Sequence, residues 1–224
     1  MLNRGIDTRK KVEKFLNTSE NDLLDPFLFE NMEKVVERIK VAKLKKEKIV
    51  IYGDYDVDGI SGVAYLVIML RKLGLNIDYY IPNRVHEGFG INRSTLNFLK
   101  RRDTKLFITV DISINSREEI MLLKKNGIDI IVTDHHRQTT ICDEMEILTI
   151  NPKISKSYPN KYLSGAGVAF KVACAIYERF GMSKKILYDY LDIVMIGTVA
   201  DVVPMVNENR FIIKKGLSNL KKTK

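Results

Sequence analysis

Short apolar runs alternate with amphipathic stretches along the chain from residue 48 onward. Apolar runs with the length and composition of buried β-strands occupy residues 49–52, 77–81, 106–110, 128–133 and 147–150. Apolar residues at helical spacing lie between or after these runs, at residues 60–73, 93–100, 116–125, 166–180, 185–199 and roughly 208–220. Alternation of continuous apolar strands with helices is typical of an α/β fold. The pattern therefore predicts a mostly parallel five-stranded sheet flanked by helices.

The first 47 residues have a different pattern. Residues 1–25 are polar, with clusters of Asn, Ser and Asp that predict loops and helix caps. Residues 26–47 carry apolar side chains at helical spacing, and the opposite face is rich in lysine. We therefore expect an N-terminal polar segment and helix over residues 1–47. One α/β domain is expected over residues 48–224, with extra helices at both ends of the chain.

The composition is that of a globular protein, with 224 residues of which 45% are hydrophobic and 29% charged. The two cysteines, Cys142 and Cys174, form no CxxC motif, which excludes a disulfide scaffold and a structural zinc site and favours a cytoplasmic protein. The N-terminus lacks the apolar core of a signal peptide. The longest apolar run, residues 62–70, is far shorter than the roughly 20 residues of a spanning helix, so no membrane partner is expected.

The net charge of +9 leaves two interpretations open. A surplus of positive charge favours a polyanionic partner, with nucleic acid ahead of a membrane surface. The same surplus is also typical of a protein that is charged only for solubility. Isolated lysines such as Lys171 are expected to be solvated.

Three aspartates, Asp54, Asp56 and Asp58, follow the first predicted strand within five residues. Carboxylates this close repel each other unless a cation lies among them. An EF-hand is excluded, because the loop has Tyr65 where the twelfth-position Glu is required, and because a strand rather than a helix precedes it. A divalent-metal loop and an acidic turn without a ligand remain as alternatives.

Further acidic and imidazole side chains follow later elements. Asp111 ends the third strand, Asp134, His135 and His136 follow the fourth, and Asp201 ends a helical stretch. Each aspartate alone is typical of a cap or turn residue, and an adjacent pair of histidines is more often a surface feature than a ligand pair. Since the carboxyl ends of parallel strands meet at one edge of a sheet, the set together indicates a metal site there. Carboxylates with imidazole suit Mn²⁺ or Mg²⁺, with imidazole favouring Mn²⁺, and this many carboxylates would need two ions.

These segments, in this order, resemble the four motifs of the DHH phosphoesterase superfamily. The motif-like segments are residues 54–59 (DYDVDG), 110–111 (VD), 134–136 (DHH) and 197–201 (GTVAD). Other segments resemble the RecJ-like single-stranded-DNA-specific exonucleases within that superfamily, namely residues 81–84 with 87–90, 165–171, and 197–204 with 208–210. The resemblance extends over residues 48–217, which is nearly the whole chain.

The resemblance implies two metal ions in a cleft, Mn²⁺ or Mg²⁺, that share one bridging carboxylate. Asp111 corresponds to that bridge. The implied ligands of one ion, besides the bridge, are Asp58, His135 and Asp201. The implied ligands of the other are Asp56 and, in support, Asp54.

The resemblance implies a catalytic role for two further residues. His136 would face the scissile phosphate or orient a ligand, and Asp134 would accept a hydrogen bond that fixes an imidazole tautomer. The hydrolytic water would be activated by metal, so no protein nucleophile is expected. Ser113 and Ser164 are interpreted as structural or backbone-positioning residues.

Four places are candidate contacts with nucleic acid. Arg84 is suited to bidentate contact with phosphate. Phe89 is suited to stacking on a base or, equally, to packing against the core. Residues 164–167 resemble an anion-binding turn, with helix capping and close packing as the alternative. Arg210 would contact the nucleic-acid backbone or form an ion pair with Glu208. The candidate nucleic-acid-binding residues are Arg84, Phe89, Gly90, Ser164, Gly165, Gly167 and Arg210.

The leading functional hypothesis is a metal-dependent 5′-to-3′ exonuclease that acts on single-stranded DNA in DNA repair and recombination. Relatives that hydrolyse oligoribonucleotides or small nucleotides usually carry a histidine ahead of these acids. Residues 54–56 have no histidine before them, so the resemblance favours the exonuclease over these alternatives. An inactive DHH scaffold is the third hypothesis. The expected partners are single-stranded DNA and, from the family alone, single-strand-binding protein, while the oligomeric state is left open.

The chain departs from the family pattern in two respects. Ile112 and Ser113 stand where the family usually has Cys and Gly. The family's second lobe and its OB-fold have no counterpart in this sequence. The chain is therefore expected to be the N-terminal DHH lobe alone, which by itself would be poorly active.

Overall fold

A five-stranded sheet, entirely parallel, forms the centre of the molecule. The computed structural model describes residues 6–83, 91, 93–137 and 141–220. The strands are β1 (Lys48–Gly53), β2 (Asn76–Tyr80), β3 (Thr104–Val110), β4 (Asp129–Thr133) and β5 (Leu148–Ile150). They pair in the order β2-β1-β3-β4-β5, with every neighbouring pair parallel. The predicted α/β class and the five-stranded sheet are confirmed.

Helices cover both faces of the sheet. In the part of the chain that the structure describes, two helices precede the sheet, four connect its strands and four follow it. They are α1 (Arg9–Leu16), α2 (Met32–Leu44), α3 (Val57–Lys72), α4 (Arg93–Arg101), α5 (Arg117–Lys125), α6 (Ile141–Glu144), α7 (Gly165–Arg179), α8 (Lys185–Asp189), α9 (Leu191–Ala200) and α10 (Asn207–Leu220). Gly74 and Gly127 follow α3 and α5 with φ of +74° and +69°, a left-handed conformation that ends each helix and turns the chain into the next strand.

The sheet is buried on both faces along β1, β3 and β4, which explains why these strands are largely apolar. Along β1, Ile49 and Ile51 belong to one hydrophobic cluster, with α2, α3, α7, α9 and α10. The side chains between and after them, Val50 and Tyr52, belong to a second cluster, with α4 and α5. Side chains alternate between the two faces of a strand, so β1, β3 and β4 each contribute buried residues to both clusters.

Three helix predictions need correction. Residues 26–47 form a 3₁₀ turn (Pro26–Leu28) followed by α2, not one continuous helix. The predicted helix over residues 185–199 is divided at Tyr190, whose backbone (φ −110°, ψ 18°) leaves the helical region between α8 and α9. The polar region 1–25 contains α1, which begins at an N-cap where Thr8 Oγ1 accepts a hydrogen bond from Lys11 N.

Lys171 and Glu208 form a buried ion pair between α7 and α10. Each side chain is 1% exposed, and Lys171 Nζ lies 2.7 Å from Glu208 Oε1. Glu208 also accepts hydrogen bonds from Leu24 N, Tyr158 Oη and Asn160 Nδ2, and Lys171 Nζ donates to the carbonyl of Leu24. The expectation of a solvated Lys171 is therefore wrong, because this lysine neutralises a carboxylate that binds the N-terminal segment.

Arg210 contacts α1. Its Nε donates to the carbonyl of Phe15 at 3.0 Å, and its guanidinium lies 3.9 Å from the centre of the Phe15 ring. Glu208 pairs with Lys171 and not with Arg210, so the ion-pair alternative is wrong. Arg210 packs the N-terminal segment on α10, and its contact with nucleic acid stays a prediction.

Both cysteines, Cys142 and Cys174, are free and buried. Among the helices that the structure describes, none combines the length and the apolar character that a bilayer-spanning segment needs. The proposed division at residues 47 and 48 stays a prediction, although α2 shares the hydrophobic cluster of the sheet.

Candidate metal centre

The carboxyl ends of β1, β3 and β4 bring the predicted site residues to one edge of the sheet. The register pairs Gly53 with Val110, and Val110 with Thr133, so the residues that follow these positions are neighbours. Asp111 continues the ladder by donating from its N–H to the carbonyl of Thr133 at 3.0 Å. The convergence predicted from strand ends is therefore present in the structure.

His135 lies at the centre of the cluster, with its side chain 5% exposed. Its Nε2 is 3.1 Å from Asp111 Oδ1, 3.5 Å from Asp201 Oδ2 and 3.8 Å from Asp58 Oδ2. Asp58, His135 and Asp201 offer three ligand atoms within 4.8 Å of one another, which is a spacing that one cation can bridge. A second such group consists of Asp111, His135 and His136.

The N-terminus of α7 holds Asp58 in place. Asp58 Oδ2 accepts from Gly165 N at 2.6 Å, and Oδ1 accepts from Ala166 N at 3.0 Å. Ser164 is the N-cap of α7, and its Oγ accepts from Gly167 N at 3.1 Å. These N–H groups bind oxygens of the protein, as the alternative of helix capping and close packing predicts, and the phosphate-binding role of Ser164, Gly165 and Gly167 stays a prediction. The turn does bind an anion, but the anion is the carboxylate of Asp58.

Two glycines allow helices to approach the cluster closely. A Cβ atom at Gly165 would lie 2.5 Å from Asp111 Cβ, and one at Gly197 would lie 2.7 Å from Asp58 Oδ1. Side chains at these positions would displace the carboxylates that the cluster needs. Close approach is therefore the physical reason for glycine at both positions.

Several ligand atoms in the cluster are buried without a hydrogen bond. Within the described part of the chain, these atoms include Asp111 Oδ1, Asp201 Oδ2 and both ring nitrogens of His135. Buried polar atoms normally have a partner, and unpaired nitrogen and oxygen atoms that converge are the donor set of a divalent transition or alkaline-earth ion. The residues present therefore fit the metal that the sequence predicts.

The protonation preferences of the cluster also fit a divalent-cation site. Burial, followed by the charges of Asp58 and Asp56, raises the pKa of Asp111 to about 9. Burial likewise raises the pKa of the Asp58 carboxyl. Burial lowers the pKa of His135, which favours the neutral ring that binds metals. A divalent ion would offset the repulsion that these carboxylates otherwise experience.

Ser113, Asp134 and His136 form a hydrogen-bonded chain beside the cluster. His136 Nδ1 lies 2.8 Å from Asp134 Oδ1, and Ser113 Oγ donates to Asp134 Oδ2. Burial alone would raise the pKa of Asp134, but the hydrogen bonds from His136 and Ser113 outweigh it and lower that pKa. The hydrogen bond to Asp134 in turn raises the pKa of His136 to about 9.

The hydrogen bond to Asp134 favours the imidazolium form of His136, whose side chain lies half exposed at the edge of the cluster. The second N–H, on Nε2, remains for another acceptor. The sequence predicts a structural or backbone-positioning role for Ser113, whereas its hydroxyl contacts the side chain of Asp134. The sequence signal for that contact is a hydroxyl two residues after Asp111, at the same edge of the sheet.

Asp54 and Asp56 lie in the loop between β1 and α3. Asp56 is the N-cap of α3 and accepts from Gly59 N at 2.9 Å, while Asp54 Oδ1 accepts from Tyr55 N at 2.7 Å. Their role as ligands of a second ion stays a prediction, as do the roles of Arg84, Phe89 and Gly90, which lie outside the described residues.

Comparison with known proteins gives the same family as the motifs. The family model described as "DHH family, N-terminal domain" matches residues 48–198. The single-stranded-DNA-specific exonuclease RecJ of Bacillus subtilis (strain 168) is 38% identical over 223 residues, which are 100% of this chain and 28% of that protein. RecJ of Thermus thermophilus is 35% identical over 202 residues, 88% of this chain and 29% of the relative.

Solved structures resemble the chain in the same way. A crystal structure of exonuclease RecJ bound to manganese has a TM-score of 0.76 and 32% identity, and it covers 88% of this chain and 49% of its own. RecJ of Thermus thermophilus in complex with Mn²⁺ has a TM-score of 0.73 and 32% identity, over 89% of this chain and 29% of its own. The chain spans about three-tenths of the length of the two curated relatives. It belongs to the DHH family, whose N-terminal domain it contains.

Proposed function

We propose that this chain is the DHH lobe of a metal-dependent exonuclease that hydrolyses single-stranded DNA from the 5′ end, in repair and recombination. The observation that carries the proposal is the buried cluster of Asp58, Asp111, His135 and Asp201, whose ligand atoms converge without hydrogen bonds. The substrate follows from similarity, since relatives 38% and 35% identical to the chain are named single-stranded-DNA-specific exonucleases.

The proposed cofactor is a pair of Mn²⁺ or Mg²⁺ ions. Asp111 is proposed as the bridging ligand, with Asp58, His135 and Asp201 completing one site. Asp56, supported by Asp54, is proposed for the other. Structures of similar proteins bound to manganese and to magnesium support this choice.

The chain's own residues contribute positioning and charge to hydrolysis. When bound, divalent ions supply Lewis acidity and lower the pKa of a bound water to about 7. His136, held by Asp134, presents an imidazolium N–H that can donate to a non-bridging phosphate oxygen and stabilise its developing charge. The N-terminus of α7 keeps Asp58 oriented. No serine of the chain is needed as a nucleophile.

Further parts of the proposal rest on the family alone. Arg84, Phe89 and Gly90 are proposed to contact the nucleic acid beside the cluster. Single-strand-binding protein is proposed as a partner and the cytoplasm as the location. None of these three proposals changes the chemistry of the metal centre.

Release of nucleotides from end-labelled single-stranded DNA tests the proposed function. With Mn²⁺, the chain is expected to release mononucleotides from the 5′-labelled end, and EDTA is expected to stop the release. Hydrolysis confined to dinucleotides would instead favour a small-nucleotide phosphoesterase. Metal binding without any hydrolysis would favour an inactive scaffold. Either result would contradict the proposal.

Ser113→Ala is expected to lower kcat by about 10- to 100-fold, the usual effect of losing a residue that orients an active-site group. Asp134 would lose one of the two hydrogen bonds that hold its carboxylate, and His136 would then be less well oriented. Ser113→Thr keeps the hydroxyl and should retain most of the activity. Ser116→Ala is the matched control, because Ser116 caps α5 outside the cluster. A wild-type kcat in Ser113→Ala would show that the chain does not depend on Ser113.

A further inference from the structure

Cationic side chains collect at the edge of the sheet opposite the metal centre, where the strands begin. Residues 43–48, 71–78, 100–105 and 124–129 contain the last turns of α2 to α5 and the start of β1 to β4. They hold twelve Lys and Arg residues against four acidic residues. We call these cations the basic edge: Lys43, Lys45, Lys46, Lys48, Arg71, Lys72, Lys100, Arg101, Arg102, Lys105, Lys124 and Lys125.

The basic edge is continuous across four strands. β2, β1, β3 and β4 lie side by side, so the segments that precede them are adjacent. Arg38 of α2 pairs with Glu47 before β1 at 2.7 Å and with Asp129 at the start of β4 at 2.6 Å. Arg102 before β3 reaches Asp78 of β2 at 3.4 Å. These contacts join the four segments into one surface.

The acidic residues at this edge are already paired. Glu47 and Asp129 share Arg38, Asp78 pairs with Arg102, and Asp103 lies 2.8 Å from Lys105. Of the side chains that the structure describes at this edge, six cations make no ion pair, side-chain hydrogen bond or ring contact with other described residues. They are Lys45, Lys46, Lys48, Lys100, Arg101 and Lys125.

Helix dipoles explain only part of this charge. A cation at the C-terminal end of a helix is stabilised by the helix dipole, which accounts for Lys100, Arg101, Lys125 and the C-cap residue Lys45. Lys46 and Lys48 lie beyond the C-cap of α2 and gain less from its dipole. The surplus of eight charges at this edge is nearly the whole net charge of +9. A concentrated positive field of this kind attracts polyanions.

We propose that the basic edge binds the sugar-phosphate backbone of single-stranded DNA, independently of sequence. Neighbouring strands are about 4.8 Å apart, so the surface is roughly 15 Å wide and fits several phosphates in a row better than one free phosphate. The six residues of β1 separate it by roughly 20 Å from the metal centre. This inference relies on the proposed function only for the identity of the polyanion, and it adds a second, non-catalytic contact with the substrate.

The salt dependence of binding tests this proposal. The variant Lys45→Gln/Lys100→Gln/Lys125→Gln removes one cation from each of three adjacent segments. The control Lys10→Gln/Lys34→Gln/Lys185→Gln removes three exposed lysines elsewhere. The affinity for an oligothymidylate of about 20 nucleotides is measured in EDTA over a range of salt concentrations. Each lost phosphate contact should reduce the magnitude of the slope of log K against log salt by about 0.7. The slope of the basic-edge variant should therefore be smaller than that of wild type by about 2, and the slope of the control should be unchanged.

Hydrolysis of a trinucleotide with Mn²⁺ separates this proposal from the proposed function. Both triple variants are expected to hydrolyse this short substrate at the wild-type rate, since it does not reach the basic edge. A wild-type salt slope in the basic-edge variant, with hydrolysis intact, would overturn the second binding surface and leave the function standing. Lack of hydrolysis in all proteins, with the predicted loss of slope, would contradict only the proposed exonuclease.

Discussion

Replacement of Asp111 by asparagine is expected to abolish Mn²⁺-dependent hydrolysis and, at the same time, to stabilise the metal-free protein. Asp111 is the proposed bridging ligand, and an amide is a far weaker ligand than a carboxylate. Without metal, the ionised form of the Asp111 carboxyl is disfavoured by burial and by the charges of Asp58 and Asp56. Asparagine removes this penalty, which should raise the free energy of unfolding at pH 7 by about 1–4 kcal/mol.

Asparagine is preferred to alanine because of the backbone at this position. Asp111 has φ of +61°, in the left-handed region that Asn and Asp adopt more readily than other non-glycine residues. Alanine there would add strain that has no relation to metal binding. Asp103→Asn is a matched control, because Asp103 has φ of +49° and is exposed far from the cluster. Unchanged hydrolysis in Asp111→Asn would contradict the proposed role.

The pH dependence of stability gives the same prediction a second readout. The pKa of Asp111 is about 9 in the metal-free fold and about 3.8 when unfolded, so the folded state binds more protons between these values. The contribution of Asp111 to stability therefore falls as the pH rises from about 4 to 9. In urea unfolding with EDTA, the free energy of unfolding should fall less over this pH range for Asp111→Asn than for wild type and Asp103→Asn.

Lys171→Met is expected to lower the free energy of unfolding by about 3–5 kcal/mol, because it leaves the buried carboxylate of Glu208 without its cation. Glu208 also holds Leu24 of the N-terminal segment, so the loss should extend to that segment. The double variant Lys171→Met/Glu208→Gln removes the uncompensated charge and should recover part of the stability. Urea unfolding of the three proteins measures these differences.

A surface lysine supplies the control for this comparison. Lys185 is exposed at the start of α8, and Lys185→Met should change the free energy of unfolding by less than about 0.5 kcal/mol. A loss below about 1 kcal/mol in Lys171→Met would show that the fold does not depend on this ion pair. A double variant less stable than Lys171→Met would show that the uncompensated charge is not the cause.

The sequence was sufficient to predict which residues of the metal centre meet at one edge of the sheet, because that convergence follows from strand direction. Asp111, His135 and His136 come directly after buried strands, and parallel strands bring such positions to one edge whatever the rest of the fold does. The continuous apolar runs likewise required a sheet covered on both faces. Both predictions depend on local pattern and on one general rule of sheet geometry.

The errors and omissions arose where a residue's role depends on a partner distant in sequence. Lys171 is buried only because Glu208 lies opposite it, 37 positions away. Residues 164–167 have the pattern of an anion-binding turn, but the pattern does not show that its anion is Asp58, 107 positions away. The division of a helical pattern at Tyr190 is likewise set by tertiary packing and not by local propensity.

Calorimetric titration of Mn²⁺ into the metal-free chain tests the metal centre most directly. Wild type and Asp103→Asn are expected to bind about two ions per chain, as a bridged pair requires. Asp111→Asn is expected to lose the high-affinity binding, because Asp111 is the proposed ligand of both ions. Absence of binding to wild type, or undiminished binding to Asp111→Asn, would contradict a two-ion centre built on Asp111.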